Sequence, residues 1–343
     1  MEPDVPATEQ PHWRPAQFFS REGNGVRCTL CPHLCNLRDG ETGICGARRR
    51  IGDIIETASY SATVIHLDSI EKKPFYHYRP GRPVLTVGAP GCSMACRYCQ
   101  NYRLSQAGKP TGLPWRAAPL EAEDLATRAR IHNAAVGFSY SEASLASELT
   151  IDVARLGKAH GIDVVWKTNG FLTQHAVETV APYLSAVNID IKAADENRHR
   201  RLTGAALAPI LETFRYLASS RVWVEVSTPM IPDVNADAES VRRIANWIAE
   251  ISVDIPWHLV RFNPDFGMMQ ARPTLPSELD AAVEIAKDAG LNYVYVERSM
   301  GGRDTTCPNC HAPVVQRDIW RTTSNVLING GCPACGTAIA GKW

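Results

Sequence analysis

Three cysteines near the first third of the chain most constrain what it can fold into. Cys92, Cys96 and Cys99 follow a C-x3-C-x2-C spacing. Three thiolates on one tight loop, with no fourth nearby, suit an iron–sulfur cubane in which one iron lacks a protein ligand. Zinc usually takes two cysteines from each of two C-x2-C pairs, so it fits this spacing poorly. Buried cysteines that merely pack as small apolar side chains would not explain the spacing. The run therefore predicts a cluster with one open iron, which a substrate can bind.

All eleven cysteines fall into three groups, and none is left over. The loop group is flanked by two groups of four, which are Cys28, Cys31, Cys35 and Cys45 at the front and Cys307, Cys310, Cys332 and Cys335 in the tail. Short clustered spacings argue for metals in a reducing compartment rather than for disulfides. We therefore expect a cytoplasmic protein.

The two flanking groups differ in their spacing. The tail group consists of two C-x2-C pairs, a pattern that predicts a zinc ribbon with a closed, structural site; a closed iron site is the alternative. The front group reads C-x2-C-x3-C-x9-C. It suits either a second, closed iron–sulfur cluster that feeds electrons or a structural zinc, and its spacing does not choose between them. Either metal would help such a small segment to fold.

Charge and hydropathy exclude several classes of partner. The chain has 343 residues, with 36 Lys and Arg against 36 Asp and Glu. No global field therefore attracts nucleic acid or a membrane surface. No apolar stretch approaches the roughly 20 residues that span a bilayer. The polar, proline-rich start of the chain lacks the apolar segment of an export signal.

The order of the parts predicts one large domain with appendages. We expect a flexible lead over 1–20, a four-cysteine module over 21–80, a core over 81–300 and a zinc-ribbon-like tail over 301–343. In the core, apolar β-like runs alternate with helical stretches, which predicts an α/β fold with right-handed βαβ units and a parallel sheet. Six or seven such units would curl into a partial or full barrel. In such barrels the chemistry lies at the carboxyl ends of the strands.

Polar residues follow the predicted strands at that end. Glu142 follows the second strand, Asn169 the third, and Asp190 and Lys192 end the fourth, where a spacing of two points them to the same side. A carboxylate and an ammonium facing the barrel interior are costly unless they are paired or bind a ligand. The structural alternatives are a helix N-terminal acid for Glu142, a left-handed turn residue for Asn169 and an ion pair for the last two.

The cysteine loop, with the aromatic Tyr98 directly before Cys99, resembles the defining motif of the radical S-adenosylmethionine (SAM) superfamily. The resemblance implies a partial (β/α)6 barrel and a [4Fe–4S] cluster whose open iron binds the amino and carboxylate groups of SAM. It also implies that an electron from the cluster cleaves SAM to methionine and a 5′-deoxyadenosyl radical, which abstracts a hydrogen atom. By the same resemblance the Tyr98 ring packs near the adenine, and the backbone around Gln100 assists.

The same resemblance assigns roles to the residues at the strand ends. Glu142 matches the glutamate that holds the SAM amino group, although Ser141 and Ala143 stand where a related subgroup has Asn and Pro. Asn169, in Thr-Asn-Gly, would bond the SAM ribose. The Asp-x-Lys at Asp190 is typical of glycyl-radical activating enzymes, where it lies in the SAM site.

Several motifs in order resemble the radical SAM enzyme of the AmmeMemoRadiSam system. They are Cys-x2-Cys-Pro-His-x-Cys at the front, Glu-Lys-Lys-Pro-Phe-Tyr-His at 71–77, Cys-Gln-Asn at the end of the cluster loop and Cys-Pro-Ala-Cys-Gly-Thr in the tail. That family is related to pyruvate formate-lyase activating enzymes. The resemblance implies an AMMECR-type and a Memo-type partner, besides an electron donor such as a flavodoxin or ferredoxin.

Three functions are consistent with these features. The first is a radical SAM enzyme acting on an unidentified small molecule, peptide or RNA. The second is an activase that abstracts hydrogen from a glycine of a partner protein, and it would need a large glycyl-radical enzyme in the same genome. The third is a non-catalytic, metal-bearing interaction module, which the loss of a loop cysteine would favour. All three loop cysteines are present.

Overall fold

The computed structural model describes residues 9–23, 25–109, 112–296 and 302–343. Its N-terminal part consists of short strands, which are β1 (Arg14–Pro15), β2 (Phe19–Glu22), β3 (Gly25–Cys28), β4 (Asn36–Leu37), β5 (Arg48–Ile51), β6 (Ile54–Thr57) and β7 (Ser61–Ala62). β1, β6 and β5 form one three-stranded sheet, and β2, β3 and β4 form another. The loops and strand ends of these two sheets carry the front cysteines.

A flexible lead was predicted over residues 1–20, but its second half is part of the folded structure. β1 pairs antiparallel with β6, so Arg14 lies opposite Thr57. Phe18 is buried in the main core. The pairing partner lies far along the chain, which is why local composition did not reveal it. Residues 1–8 of the predicted lead lie outside the described residues.

The centre of the protein is one eight-stranded sheet in the order β16-β15-β14-β13-β12-β11-β9-β8. Its strands are β8 (Val64–Ser69), β9 (Pro83–Gly88), β11 (Ala135–Phe138), β12 (Val164–Thr168), β13 (Ala186–Asp190), β14 (Trp223–Met230), β15 (Trp257–Arg261) and β16 (Val294–Val296). Between β9 and β11 in the chain, β10 (Ala118–Pro119) pairs with β7 in a separate two-stranded sheet. Seven strands run parallel, and β8 pairs antiparallel with β9. This confirms the predicted α/β fold.

Helices connect the parallel strands and cover the outer face of the sheet. They are α1 (Tyr102–Ser105), α2 (Ala122–Ile131), α3 (Ser147–Gly157), α4 (Gln174–Val180), α5 (Glu196–Thr203), α6 (Ala208–Ala218), α7 (Ala238–Ala249) and α8 (Pro276–Asp288). Side chains cap several of them: Thr173, Asp195 and Asp237 each accept a hydrogen bond from a backbone N–H of the first turn of α4, α5 and α7. Such caps typically contribute about 1 kcal/mol each. None of the described helices is long and apolar enough to cross a membrane.

The sheet is open between its two edge strands, β8 and β16, and the tail packs against the β16 side. The tail consists of the strands β17 (Thr305–Thr306), β18 (Pro313–Arg317) and β19 (Thr322–Asn325), which form a separate three-stranded sheet. Tyr295 of β16 packs in one apolar cluster with Val315 of the tail. The backbone N–H of Lys342 donates to the carbonyl of His77 at 2.7 Å, which joins the last residues to the segment before β9. The tail therefore belongs to the wall of the barrel.

Candidate functional site

The curved sheet surrounds a cavity of about 370 Å³ at the carboxyl ends of its strands. The structure brings the three loop cysteines and the six residues predicted for SAM together in its lining, namely Cys92, Cys96, Cys99, Tyr98, Gln100, Glu142, Asn169, Asp190 and Lys192. They come from the loop after β9 and from the ends of β11, β12 and β13. Parallel strands end at the same edge of the sheet, so residues far apart in the chain meet there.

The cysteine loop is held by contacts to its own backbone and to Asn169. The Asn169 amide nitrogen donates to Ser93 Oγ at 3.1 Å and lies 3.8 Å from Cys92 Sγ. Cys99 Sγ lies 3.2 Å from Ser105 Oγ. Burial raises the pKa of Cys96 to about 11, so a bound metal would have to displace the proton of that thiol. Asn169 thus contacts the loop directly, in addition to lining the cavity.

A glycine just before the loop permits its close approach to the N-terminal module. Gly91 has φ +98°, and a Cβ there would lie 2.7 Å from the carbonyl oxygen of Cys45. Both the backbone conformation and the lack of space therefore require glycine. The backbone N–H of Cys92 donates to the same Cys45 carbonyl at 3.1 Å.

Glu142 is buried and accepts hydrogen bonds from three protein groups. They are the backbone N–H groups of Ser144 and Asn169, both at 2.9 Å, and the Thr168 hydroxyl. The first of these makes Glu142 the N-cap of a single 3₁₀ turn, Ala143–Ala146. Burial raises the pKa of Glu142, although these hydrogen bonds oppose the shift. A carboxylate has about four lone-pair sites, so three donors leave room for a further one.

Asp190 lies between two lysines at the mouth of the barrel. Its Oδ2 accepts from Lys192 Nζ at 2.6 Å, and its Oδ1 is bound by Lys167 Nζ. Burial alone would raise the pKa of Asp190, but the two ammonium groups hold it below its ordinary value. Lys167 also donates to Asn188 Oδ1 at 2.7 Å. These three ionised side chains carry one net positive charge.

Sequence reasoning did not select Lys167. It is the fourth residue of β12, inside an apolar run, and it lies 23 positions before Asp190. The signal in the sequence was a single charge in an otherwise uncharged strand, because Lys167 is the one charged residue of β12. A charged side chain in a strand that is covered on both faces needs a partner.

Tyr98 and Gln100 occupy different environments on the loop. The Tyr98 ring packs edge-on to Phe262 with centroids 6.3 Å apart, and Lys192 Nζ lies 6.0 Å from its centroid. Gln100 is exposed at the rim. An aromatic ring on the floor and a polar group at the rim suit a ligand that has both an apolar and a polar part.

A second buried polar network ties the barrel to the segment before β9. Glu225 of β14 is fully buried and accepts from the backbone N–H groups of Tyr76 and His77 at 2.9 to 3.1 Å. It also accepts from His258 Nε2 at 2.6 Å. His77 in turn bonds the carbonyl of Ala340 in the tail at 2.6 Å. This network is fully occupied by protein groups and joins three parts of the chain.

The tail cysteines have the geometry of a site for a single ion. Cys307 Sγ lies 3.6 Å from Cys335 Sγ, and Cys310 Sγ lies 3.6 Å from Cys332 Sγ. All four sulfurs lie within 4.8 Å of one another. Four thiolates around zinc, at about 2.3 Å each, would lie about 3.8 Å apart. The tail can therefore hold a metal, as its spacing predicts.

The front cysteines gather in the N-terminal module, next to the cysteine loop. Cys28, Cys31 and Cys45 are buried, and Cys35 is half-buried. Together they line a second, smaller cavity. Burial raises the pKa of Cys45 to about 11.

Comparison with known proteins identifies relatives over nearly the whole chain. A profile of the radical SAM superfamily matches residues 86–248. An uncharacterized protein of Methanocaldococcus jannaschii is 30% identical over 337 residues, which cover 95% of this chain and 98% of that protein. The pyruvate formate-lyase 1-activating enzyme of Escherichia coli K12 is 27% identical over 170 residues, which cover 47% of this chain and 66% of that enzyme.

Among solved structures, a radical SAM methyltransferase from Sphaerobacter thermophilus aligns with a TM-score of 0.49. The alignment has 16% sequence identity and covers 87% of this chain and 78% of that chain.

Proposed function

Because the chain belongs to the radical SAM superfamily, and is thus an enzyme that uses a [4Fe–4S] cluster and SAM, we propose that Cys92, Cys96 and Cys99 hold this cluster. When bound, the reduced cluster would supply the one electron that cleaves SAM into methionine and a 5′-deoxyadenosyl radical, and that radical would become 5′-deoxyadenosine by taking one hydrogen atom from a substrate.

One observation carries the proposal. The three cysteines line the same cavity as Lys167, Asp190 and Lys192. The cysteine loop, whose cluster would have one iron without a protein ligand, therefore borders the same cavity as these three charged side chains, which can bind the amino-acid part of SAM. The open iron supplies the site for the amino and carboxylate groups of SAM, and the surrounding side chains position the rest of the molecule.

The chain's own residues supply charge and shape. Free SAM carries a sulfonium, an ammonium and a carboxylate. Lys167 and Lys192 can attract the carboxylate, while Glu142 keeps a lone-pair site for an N–H of the amino group. Asn169 reaches both the cysteine loop and the cavity, so it can bond the ribose. The Tyr98 ring offers an apolar face to the adenine.

Tail residues contribute to the lining of the cavity in which a radical would form. Ile319 and Trp320 of the tail line this cavity, as does Tyr295 of β16. Ile319 is 50% and Trp320 is 48% exposed, so these two side chains border the cavity without sealing it from water.

The test is SAM cleavage by the anaerobically reconstituted protein. With dithionite as the electron source, we expect 5′-deoxyadenosine and methionine in equal amounts, measured by liquid chromatography. Cys96→Ala should abolish both products while the tail keeps its metal, which shows that the chain is folded. Unchanged product formation by Cys96→Ala would contradict the proposal.

A second candidate is an activase of a glycyl-radical enzyme. It is favoured by the 27% identity to the pyruvate formate-lyase 1-activating enzyme, although the match covers only 66% of that enzyme. In this reaction the hydrogen would come from a glycine of a partner protein. Electron paramagnetic resonance of a glycyl-radical enzyme from the same genome would show a glycyl doublet after incubation. The non-catalytic interaction module is set aside, because the chain has a radical SAM domain and an activating enzyme among its relatives.

The electron donor that we propose follows from the reaction, and the other partners follow from the resemblance to the AmmeMemoRadiSam enzyme. A flavodoxin or ferredoxin would supply one electron per SAM cleaved. We also propose AMMECR-type and Memo-type proteins as partners, and zinc as the metal of the tail. Zinc analysis of the purified chain, and affinity purification with each candidate partner, test these assignments separately.

A further inference from the structure

The four front cysteines are arranged differently from the four tail cysteines. In the tail, all four sulfurs lie within 4.8 Å of one another, as a single tetrahedral ion requires. Among the described residues, which include every cysteine, no other three metal-binding side chains meet that limit. As the structure places them, no three front sulfurs lie within 4.8 Å of one another, which is the spacing that one shared zinc ion would need.

The cysteines of the catalytic loop provide an internal reference. They too fail the 4.8 Å limit, and their motif is that of a cubane. In a cubane each cysteine binds a different iron, so the sulfurs stand farther apart than around a single ion. By this measure the front group resembles the loop group and not the tail group.

The guanidinium of Arg48 is buried at the cavity of the front site, and one of its N–H groups has no hydrogen-bond acceptor among the described residues. Arg48 lines this cavity with the four cysteines and is 1% exposed. Its terminal nitrogens bind Glu148 and the carbonyl of Gln17, but its buried Nε has no hydrogen-bond partner among the described residues. An unpaired buried N–H is costly. An N–H that donates to a cluster sulfur would be satisfied, and such hydrogen bonds tune cluster potentials.

The front site also contacts the catalytic loop through two backbone groups. The carbonyl of Cys45 accepts from the backbone N–H of Cys92 at 3.1 Å. His33, two residues after Cys31, has its Nε2 2.8 Å from the carbonyl of Ser93. A group that fixes Cys45 thereby fixes the first ligand of the loop.

We propose that Cys28, Cys31, Cys35 and Cys45 bind a second [4Fe–4S] cluster, closed by four thiolates, with Arg48 as its cationic neighbour. This cluster holds the N-terminal module together and anchors the start of the catalytic loop through Cys45. The assignment concerns the metal at the front and does not depend on the reaction proposed above.

The decisive experiment removes the loop site and counts metals. In the variant Cys92→Ala/Cys96→Ala/Cys99→Ala, reconstituted anaerobically with iron and sulfide, we expect about four irons and four sulfides per chain. Mössbauer spectra should show the signature of a cubane. Because the loop ligands are absent and the tail site can hold only a single ion without sulfide, iron that is matched by sulfide in this variant reports on the front site. SAM cleavage plays no part in the result.

Two further measurements guard against a folding failure. The tail should keep about one metal ion in every variant, which reports a folded chain. In the otherwise intact chain, Cys31→Ser/Cys35→Ser should lower the iron content by half, from about eight to about four. Zinc in place of iron at the front, two irons or fewer in the triple variant, or no loss of iron in the double variant would overturn the proposal.

Discussion

The backbone N–H of Asn169 donates a hydrogen bond to the carboxylate of Glu142 at 2.9 Å. This contact joins the end of β12 to the turn that follows β11. It places Asn169 where its side chain reaches Ser93 on the cysteine loop at 3.1 Å. Glu142 therefore positions the site as well as lining it.

We expect Glu142→Gln to weaken SAM binding about tenfold, because a glutamine has one acceptor oxygen and cannot serve all three donors. An anaerobic equilibrium titration of SAM measures the effect. Glu212→Gln, on the exposed outer face of α6, is the matched control and should bind SAM normally. Normal SAM binding by Glu142→Gln would show that its hydrogen bonds do not position the site.

Asp190→Asn should destabilise the folded protein by about 3 kcal/mol, because it leaves two largely buried ammonium groups without their shared carboxylate. Lys167→Met keeps the ion pair of Asp190 with Lys192, so it should lower the free energy of unfolding by less than Asp190→Asn does. Chemical unfolding of the reconstituted proteins measures both. Equal losses for the two variants would argue against charge imbalance as the cause.

Glu148→Ala should lower the free energy of unfolding by about 3 to 5 kcal/mol. Glu148 pairs with Arg48 at 3.0 Å, and the two side chains are 3% and 1% exposed, so the substitution leaves a buried charge unpaired. The exposed pair of Lys287 with Glu284 is the control, and Glu284→Ala should change stability by less than about 1 kcal/mol. A small effect of Glu148→Ala would mean that water or the neighbouring cysteine thiolates compensate the charge of Arg48.

His77 should make the protein less stable in mild acid. Burial lowers its pKa to about 4 from an ordinary value of 6.5. Between these two pH values the unfolded chain binds a proton that the folded chain does not, so the free energy of unfolding falls as the pH drops below 6.5. From pH 7.5 to pH 5.5 the loss due to His77 should be about 1.4 kcal/mol.

The measurement compares unfolding of the native chain and of His77→Gln at both pH values. His77→Gln should be less stable than the native chain at pH 7.5. Between pH 7.5 and pH 5.5, however, its free energy of unfolding should fall by about 1.4 kcal/mol less than that of the native chain. Parallel pH dependence of the two proteins would exclude His77 as the titrating group.

Removal of the tail metal should release the tail from the barrel. The four thiolates lie on the two turns that flank the tail strands β18 and β19. From this tail, Arg317 of β18 donates to the carbonyl of Tyr76 at 2.6 Å, and the backbone N–H of Lys342 donates to the carbonyl of His77. A chelator, or Cys310→Ser, should therefore make residues 302–343 sensitive to limited proteolysis. Protease resistance after complete metal loss would show that apolar packing alone holds the tail.

The parts of the protein that could be predicted from sequence rest on local signals. The strands of the parallel sheet are covered on both faces, so they appear as apolar runs such as Ala135–Phe138, all of which are buried. Metal ligands within one loop keep a short spacing because they converge on one centre. The same locality explains why Asp190 and Lys192, two residues apart, could be placed on one side of a strand.

The remaining features depend on contacts between distant residues. Lys167 as the second partner of Asp190, Arg48 as the partner of Glu148, and β1 as the partner of β6 have no local pattern. The sequence by itself determined the cysteine groups, the alternation of strands and helices, and the polar residues at the strand ends. Only the tertiary structure decided which distant charges neutralise each other and how far apart the sulfurs of each group lie. Pairing and spacing of this kind depend on how the chain folds back on itself, whereas periodicity and ligand spacing are properties of neighbouring residues.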